Sequence, residues 1–285
     1  VKLGLGTVQF GQAYGVSNTG GQVAPDEAAR ILAQAAQAGV AVLDTAANYG
    51  TAEDVLEKLD TKPFRLVTKT ISVKQGVPAV VARARQSAER LKADTLLVHA
   101  AADLKDDALW PALQALKAEG VFRKIGISVY VADDPLAVAQ TFRPDVMQLP
   151  FSVLDQRLLK SGALMRLKDL GVEIHARSIF LQGLLFLDVL PEKLRHAALE
   201  LAVAKATIAA SGALITPSAC GACGAHDFGA LGPGEVCLTA LPKSPIKTWR
   251  SRIGSPSTAR CAWGRGTARS GPRACSTSTT RASRS

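Results

Sequence analysis

The chain has 285 residues, 47% of them hydrophobic, and a formal charge of +10, which is enough length for one large core. No uncharged apolar run reaches the ~18 residues of a membrane span. The charge would suggest nucleic acid or anionic lipid as a partner, but ten of the 34 Lys and Arg lie after Glu235 and none of the 24 Asp and Glu do, so the body before that point is balanced.

Leu3–Thr7 (LGLGT) reads as a first strand whose glycines allow close backbone approach, followed by the polar loop FGQAYGVSNTGG. Pro25-Asp26-Glu27 opens an alanine-rich helix, because proline fits the first turn and acids there meet free amides; Gly39 ends it. The strand VAVLD follows. The unit then repeats: a helix near Ala52–Leu59, the strand FRLVTK, a helix near Val77–Leu91, the strand DTLLVH, a helix near Asp107–Glu119 and the strand VFRKIGIS. After these come a helix near Pro135–Thr141, the strand DVMQLP, a helix over Gln156–Leu170 capped by Gly171, and the strand VEIHARS. The strand ends at Asp44, Lys69, His99, Ser128, Gln148 and Ser178 fall 20 to 30 residues apart, the period of a β/α unit. Seven such units, with no GxGxxG after the first strand, favour an α/β fold of the (β/α)8 TIM-barrel type over a doubly wound sheet.

A seventh helix over Pro191–Ser211 should lead into an eighth repeat, and the sequence beyond it does not supply one. The chain therefore divides into a barrel body at 1–211, an atypical segment at 212–253 and a basic tail at 254–285 whose Ser, Thr, Ala, Gly, Arg and Pro composition predicts disorder. Acids vanish where Cys and Arg appear together, the pattern of a reading-frame change in a GC-rich gene. Resequencing the codons for residues 205–240 tests that hypothesis, which fails if no inserted or deleted base restores an ordinary eighth repeat.

All five cysteines, Cys220, Cys223, Cys237, Cys261 and Cys275, also lie late, which does not describe a secreted disulfide scaffold. Cys220 and Cys223 form a CxxC with His226 and Cys237 near, but neither the four ordered ligands of a zinc site nor a helix N-terminus under a redox pair accompanies them. The motif reads as accidental, and no metal is expected. Trp249 and Trp263 are the only aromatic residues after Glu235, so specific nucleic-acid binding is not expected, only salt-sensitive adhesion to polyanions. No secretory signal is visible at the start, and a cytoplasmic protein is expected.

Asp44, Tyr49, Lys69 and His99 stand at or just after three successive strand ends. Singly each has a plain explanation: a strand-end lysine is usually a solvated rim residue, and a turn tyrosine usually packs. Together they converge only at the C-terminal face of a barrel, where they make one device. A phenol of pKa about 10 is a weak acid, a buried ammonium beside it would lower that value, and a carboxylate would hold the ammonium. His99 would orient a carbonyl oxygen, and Tyr49 would give it a proton.

These four residues at this spacing resemble the catalytic tetrad of the aldo-keto reductases. The resemblance runs from Leu3 to about Gly183 and more weakly to Ser211, with RSIFLQGLLF and LPFSVLDQR similar to a bacterial branch of that family. It implies NAD(P)H-dependent reduction of an aldehyde or ketone by a small-molecule-binding enzyme, with NADPH or NADH held across the barrel mouth. Carried over by position, it implies cofactor contacts from Gly6, Thr7, Asp44, Ser128, Gln148, Arg177 and Ser178, and a substrate pocket of Tyr14, Tyr49 and His99. Phe151 and the run IFLQGLLF suggest an apolar wall. Arg177 stands where many members carry an aromatic ring on the nicotinamide, and Val129 where many carry Asn. His175 reads as a core histidine. For the adenosine phosphates the local candidate is LPKSPIKTWR, with Lys243, Ser244 and Arg250; its flanks do not match the family. The alternative is a reductase-like barrel without turnover, serving in binding or regulation, or a defective product lacking the phosphate site. Oligomeric state is not legible.

Overall fold

Seven short segments run parallel as hydrogen-bonded neighbours in chain order: β1 (Lys2–Gly6), β2 (Val42–Asp44), β3 (Arg65–Lys69), β4 (Thr95–Val98), β5 (Lys124–Ser128), β6 (Val146–Pro150) and β7 (Glu173–Arg177). They belong to a computed structural model that describes residues 2–210 and 228–231. All four positions of β4 and all three of β2 are buried, as expected of strands covered on both faces. Because successive strands pair in parallel, their C-terminal ends gather at one edge.

The helices are α1 (Val8–Gly11), α2 (Pro25–Gln37), α3 (Ala52–Glu57), α4 (Val77–Leu91), α5 (Leu109–Ala118), α6 (Pro135–Phe142), α7 (Arg157–Lys160), α8 (Ala163–Asp169) and α9 (Ala198–Ala210). In α2 the buried residues are Ala28, Ile31, Leu32 and Ala35, the single stripe that a 3.6-residue repeat lays along one face. Burying Ile31 and Leu32 stabilises the fold by about 1.5–3 kcal/mol each. Proline opens α2, α4 and α6, where the lost amide had no helical partner.

Two expected helices differ in detail. The one read over Gln156–Leu170 is split into α7 and α8 by Gly162, whose φ of 73° no continuous helix accommodates. The one read from Pro191 begins as a 3-10 turn, Glu192–Ala197, before α9.

Side chains two residues apart on a strand share a face, and on the inner face they form layers. Val42, Val67, Leu97 and Val146 make a small apolar cluster of their own. Two residues further along those strands stand Asp44, Lys69, His99 and Gln148. At the opposite end Arg65 and Lys124 converge on the carboxylate of Glu173, with His175 Nε2 donating to it at 2.9 Å. Burial alone would raise the Glu173 pKa, yet hydrogen bonds from His175, Arg65 and Lys124 hold it well below the usual carboxylate range. His175 is thus a core residue, as read from the sequence.

The eighth position departs from a (β/α)8 plan. β8 (Phe228–Leu231) pairs antiparallel with both β1 and β7, matching Gly4 to Phe228 and Ala176 to Gly229. Where the sequence supplied no ordinary eighth repeat, the strand at that position runs in the reversed direction. No helix among the described residues is long and apolar enough to cross a membrane.

Candidate active site

β2 ends in Asp44, which is 0% exposed, and β3 ends in Lys69, which is 1% exposed. The Lys69 ammonium donates to Asp44 Oδ2, to the Thr45 carbonyl at 2.8 Å and to Tyr49 Oη at 3.1 Å. Three acceptors suit an ammonium with three N–H bonds. The other carboxylate oxygen accepts from Gln148 Nε2 at 3.0 Å, across the barrel from β6. Burial pushes the Asp44 pKa up and the Lys69 pKa down, and their mutual attraction opposes both shifts.

Tyr49 follows β2 in a turn fixed from below. Glycine is required at position 11, because a Cβ there would lie 1.7 Å from the Tyr49 carbonyl oxygen and 2.3 Å from the Ala52 amide. The Thr51 amide then donates to the Gly11 carbonyl at 3.2 Å and the Ala52 amide to the Tyr49 carbonyl at 3.0 Å. Immediately beyond, Glu53 in α3 accepts from Thr68 Oγ1 at 2.7 Å and Ser87 Oγ at 3.0 Å and is paired with Arg83, pinning α3 to β3 and α4.

Burial, followed by the negative field of Asp44, pushes the Tyr49 pKa well above 10. The direction is opposite to the one expected of Lys69, because burial prevails on a ring that is 6% exposed. The phenol therefore stands as a neutral O–H donor. The His99 ring meets it edge-on, 5.7 Å between centroids at 82°. Burial, then the charges of Lys69 and Arg177, lower the His99 pKa to about 4, so at neutral pH the imidazole is uncharged. Its buried Nδ1 has no partner among the described residues.

The other expected site residues stand around this cluster. Gly6 pairs in register with Asp44, and the Asp44 carbonyl accepts from both the amide and the hydroxyl of Thr7 at 2.9 Å. Ser128 ends β5, buried and in register with Gln148. Gln148 commits Nε2 to Asp44. Arg177 ends β7, its Nη2 donating to the Val129 carbonyl at 3.3 Å, and Ser178 follows with φ 61°. Phe151 is partly buried, and its amide donates to the Arg177 carbonyl at 3.1 Å. Tyr14 is partly buried and accepts from Gln182 Nε2 at 3.2 Å.

Two residues went unread in the sequence. Gln182, inside the quoted run RSIFLQGLLF, also accepts from the Val16 amide at 3.1 Å and so ties the Tyr14 loop to the segment after β7. Tyr130, beside the quoted IGISV, lays its ring 4.2 Å from the Arg177 guanidinium carbon. Cys220, Cys223, His226, Cys237, Lys243, Ser244, Trp249, Arg250 and Trp263, and the disorder expected of 254–285, lie outside the described residues.

Residues 2–199 match the family model described as the Aldo/keto reductase family. Among curated proteins, the chain is 29% identical over 153 residues to an aldo-keto reductase of Mycolicibacterium smegmatis, covering 49% of this chain and 54% of that protein. A 48-residue stretch is 50% identical to the large subunit of 3-isopropylmalate dehydratase from the same organism, covering 17% of this chain and 10% of that one. The chain thus spans little more than half of one curated relative and a small part of the other. Among solved structures it is similar to a holo-form aldo-keto reductase from Bacillus halodurans, at 25% identity over 67% of this chain and 66% of that one with a TM-score of 0.53. It shares the fold of an aldo/keto reductase from Klebsiella pneumoniae solved with NADP and acetate, at 21% identity over 70% and 72% with a TM-score of 0.53.

Proposed function

Because the chain belongs to the aldo/keto reductase family, we propose that it reduces an aldehyde or ketone to the alcohol at the cluster of Asp44, Tyr49, Lys69 and His99, with NADPH or NADH as reductant. The observation that carries this reading is the direct contact of Lys69 with both Asp44 and Tyr49 in a buried site at the strand ends.

Tyr49 is the proton donor. Its raised pKa keeps the proton on the phenol until negative charge develops on the carbonyl oxygen, a stronger base than a phenolate. Lys69, bonded to Tyr49 Oη, then stabilises the phenolate left behind. Asp44 keeps that ammonium charged and aimed, and Gln148 and Thr7 hold Asp44. The neutral His99 offers an N–H to the same carbonyl oxygen and fixes its direction.

The polar groups at the mouth fit the nicotinamide end of the cofactor: Ser128 has a hydroxyl there, Gln148 a side-chain amide and Arg177 a guanidinium plane, with Gly6, Thr7 and Ser178 beside them. When bound, reduced nicotinamide supplies the hydride that the carbonyl carbon receives. The residues proposed for the adenosine phosphates, Lys243, Ser244 and Arg250, fall outside the described segments. A cytoplasmic enzyme with no specific nucleic-acid partner accords with this reading.

A second reading, a reductase-like barrel without turnover, is favoured by two observations: the family match stops at residue 199, and the strand in the eighth position is antiparallel. Incubation with NADPH deuterated at the transferred position and a simple aldehyde separates the two. The first reading expects deuterium on the carbinol carbon of the product; absence of any alcohol product supports the second.

A further inference from the structure

Among the residues at the mouth, Arg177 is set apart by its charge. It is 6% exposed, and its partners among the described residues are the Val129 carbonyl at 3.3 Å and the Tyr130 ring at 4.2 Å. No carboxylate is among them. At this end of the strands Lys69 has Asp44 as its counter-ion, whereas Arg177 has no carboxylate partner among the described residues. A guanidinium kept from water without a counter-ion carries a desolvation cost, which a bound anion would relieve.

The guanidinium faces the proposed chemistry. Glu173, His175 and Arg177 alternate on one face of β7, and His175 is in register with Gln148, which reaches across to Asp44. Behind the effect of burial, the field of Arg177 also acts on Tyr14, Tyr49, Lys69 and His99, lowering the pKa of each. The Tyr130 ring lies over the guanidinium carbon and Nη2 gives one N–H to the Val129 carbonyl; the guanidinium's other N–H groups match the oxygens of a carboxylate. The buried Nδ1 of His99 also has no partner among the described residues.

We propose that Arg177 makes this site selective for carbonyl substrates that also carry a carboxylate, the guanidinium edge binding the carboxylate while the carbonyl oxygen meets Tyr49 and His99. Tyr130 is the positioning residue that holds the guanidinium plane. The proposal rests on the reductase reading, and its test keeps the two apart.

Full-length protein is assayed with 4-carboxybenzaldehyde and with its methyl ester, methyl 4-formylbenzoate, and the ratio of their kcat/KM values is compared between wild type, Arg177→Met and Arg177→Lys. Effects on the cofactor fall on both substrates, so the ratio isolates the carboxylate. The wild type should prefer the acid by about tenfold or more, Arg177→Met should lower the ratio by roughly 10- to 100-fold, the range of a hydrogen bond to a charged group, and Arg177→Lys should retain part of it. Calorimetric titration with benzoate and with benzamide gives a readout that needs no turnover: benzoate should bind the wild type more tightly, and Arg177→Met should abolish the difference. Turnover of both substrates with a ratio near one, or a ratio unchanged in both variants, overturns the proposal and leaves the reductase reading intact. A loss of NADPH affinity in Arg177→Met with an unchanged ratio assigns the guanidinium to a cofactor phosphate and overturns it likewise. Absence of turnover together with Arg177-dependent benzoate binding supports the anion site and overturns the reductase reading.

Discussion

Lys69 is held between a carboxylate and a phenol in a place that water does not reach, and its stability and its proposed chemistry share one cause. A buried ion pair is costly to break from one side, because the survivor is left charged and dry. Lys69→Met should therefore lower unfolding stability by about 3–5 kcal/mol, while the double variant Asp44→Leu with Lys69→Met should recover much of that loss. Denaturant unfolding decides the matter, and a double variant no more stable than the single one would contradict the pairing. His99 gives a separate signature in pH. Its pKa is about 4 in the folded chain against an ordinary 6.5, so the unfolded chain takes up a proton that the folded one refuses. Its contribution is therefore fully present above pH 6.5 and is lost as pH falls toward 4. Thermal unfolding of wild type should weaken between pH 6.5 and about 5 more steeply than that of His99→Gln, whose side chain takes up no proton there. Parallel curves would mean that His99 is not shielded as described.

At the scale of elements, what could be read from the sequence was what local periodicity encodes. The stripe on α2, the proline starts of α2, α4 and α6, and the polar residues closing β2 and β3 are all visible in a short window of sequence. The antiparallel direction of β8 is not, since four residues of FGAL carry no sign of which way they pair. Nor is the stacking of Tyr130 on Arg177, 47 residues apart in the chain, or the need for glycine at position 11. That need arises because the turn carrying Tyr49 folds onto α1, a contact between segments nearly 40 residues apart. Gly11→Ala should displace the Tyr49 turn, cost about 1–3 kcal/mol of stability as overpacking, and lower kcat/KM. Wild-type thermal stability and kinetics in this variant would show that the turn tolerates the added methyl group.

For the whole molecule, seven parallel strands deliver Asp44, Lys69, His99, Gln148 and Arg177 to one end, although the eighth position is filled against the family's direction. That Asp44, Tyr49, Lys69 and His99 gather at one end could be read from the sequence because they stand at or just after strand ends and the chain order of strands is also their spatial order. The balance of charge among them could not, because it depends on burial: Tyr49 stays neutral and His99 uncharged where the sequence pointed to a phenol already activated by Lys69. We propose that this cluster donates its proton through Tyr49. The most direct measurement is carbonyl-dependent oxidation of NADPH by the full chain, compared with Tyr49→Phe, in which the ring is kept and only the hydroxyl removed. Wild-type turnover that falls by a factor of about 100 or more in Tyr49→Phe, in keeping with the loss of a general acid and with NADPH binding preserved, is the predicted result. Equal turnover in the two proteins would contradict it.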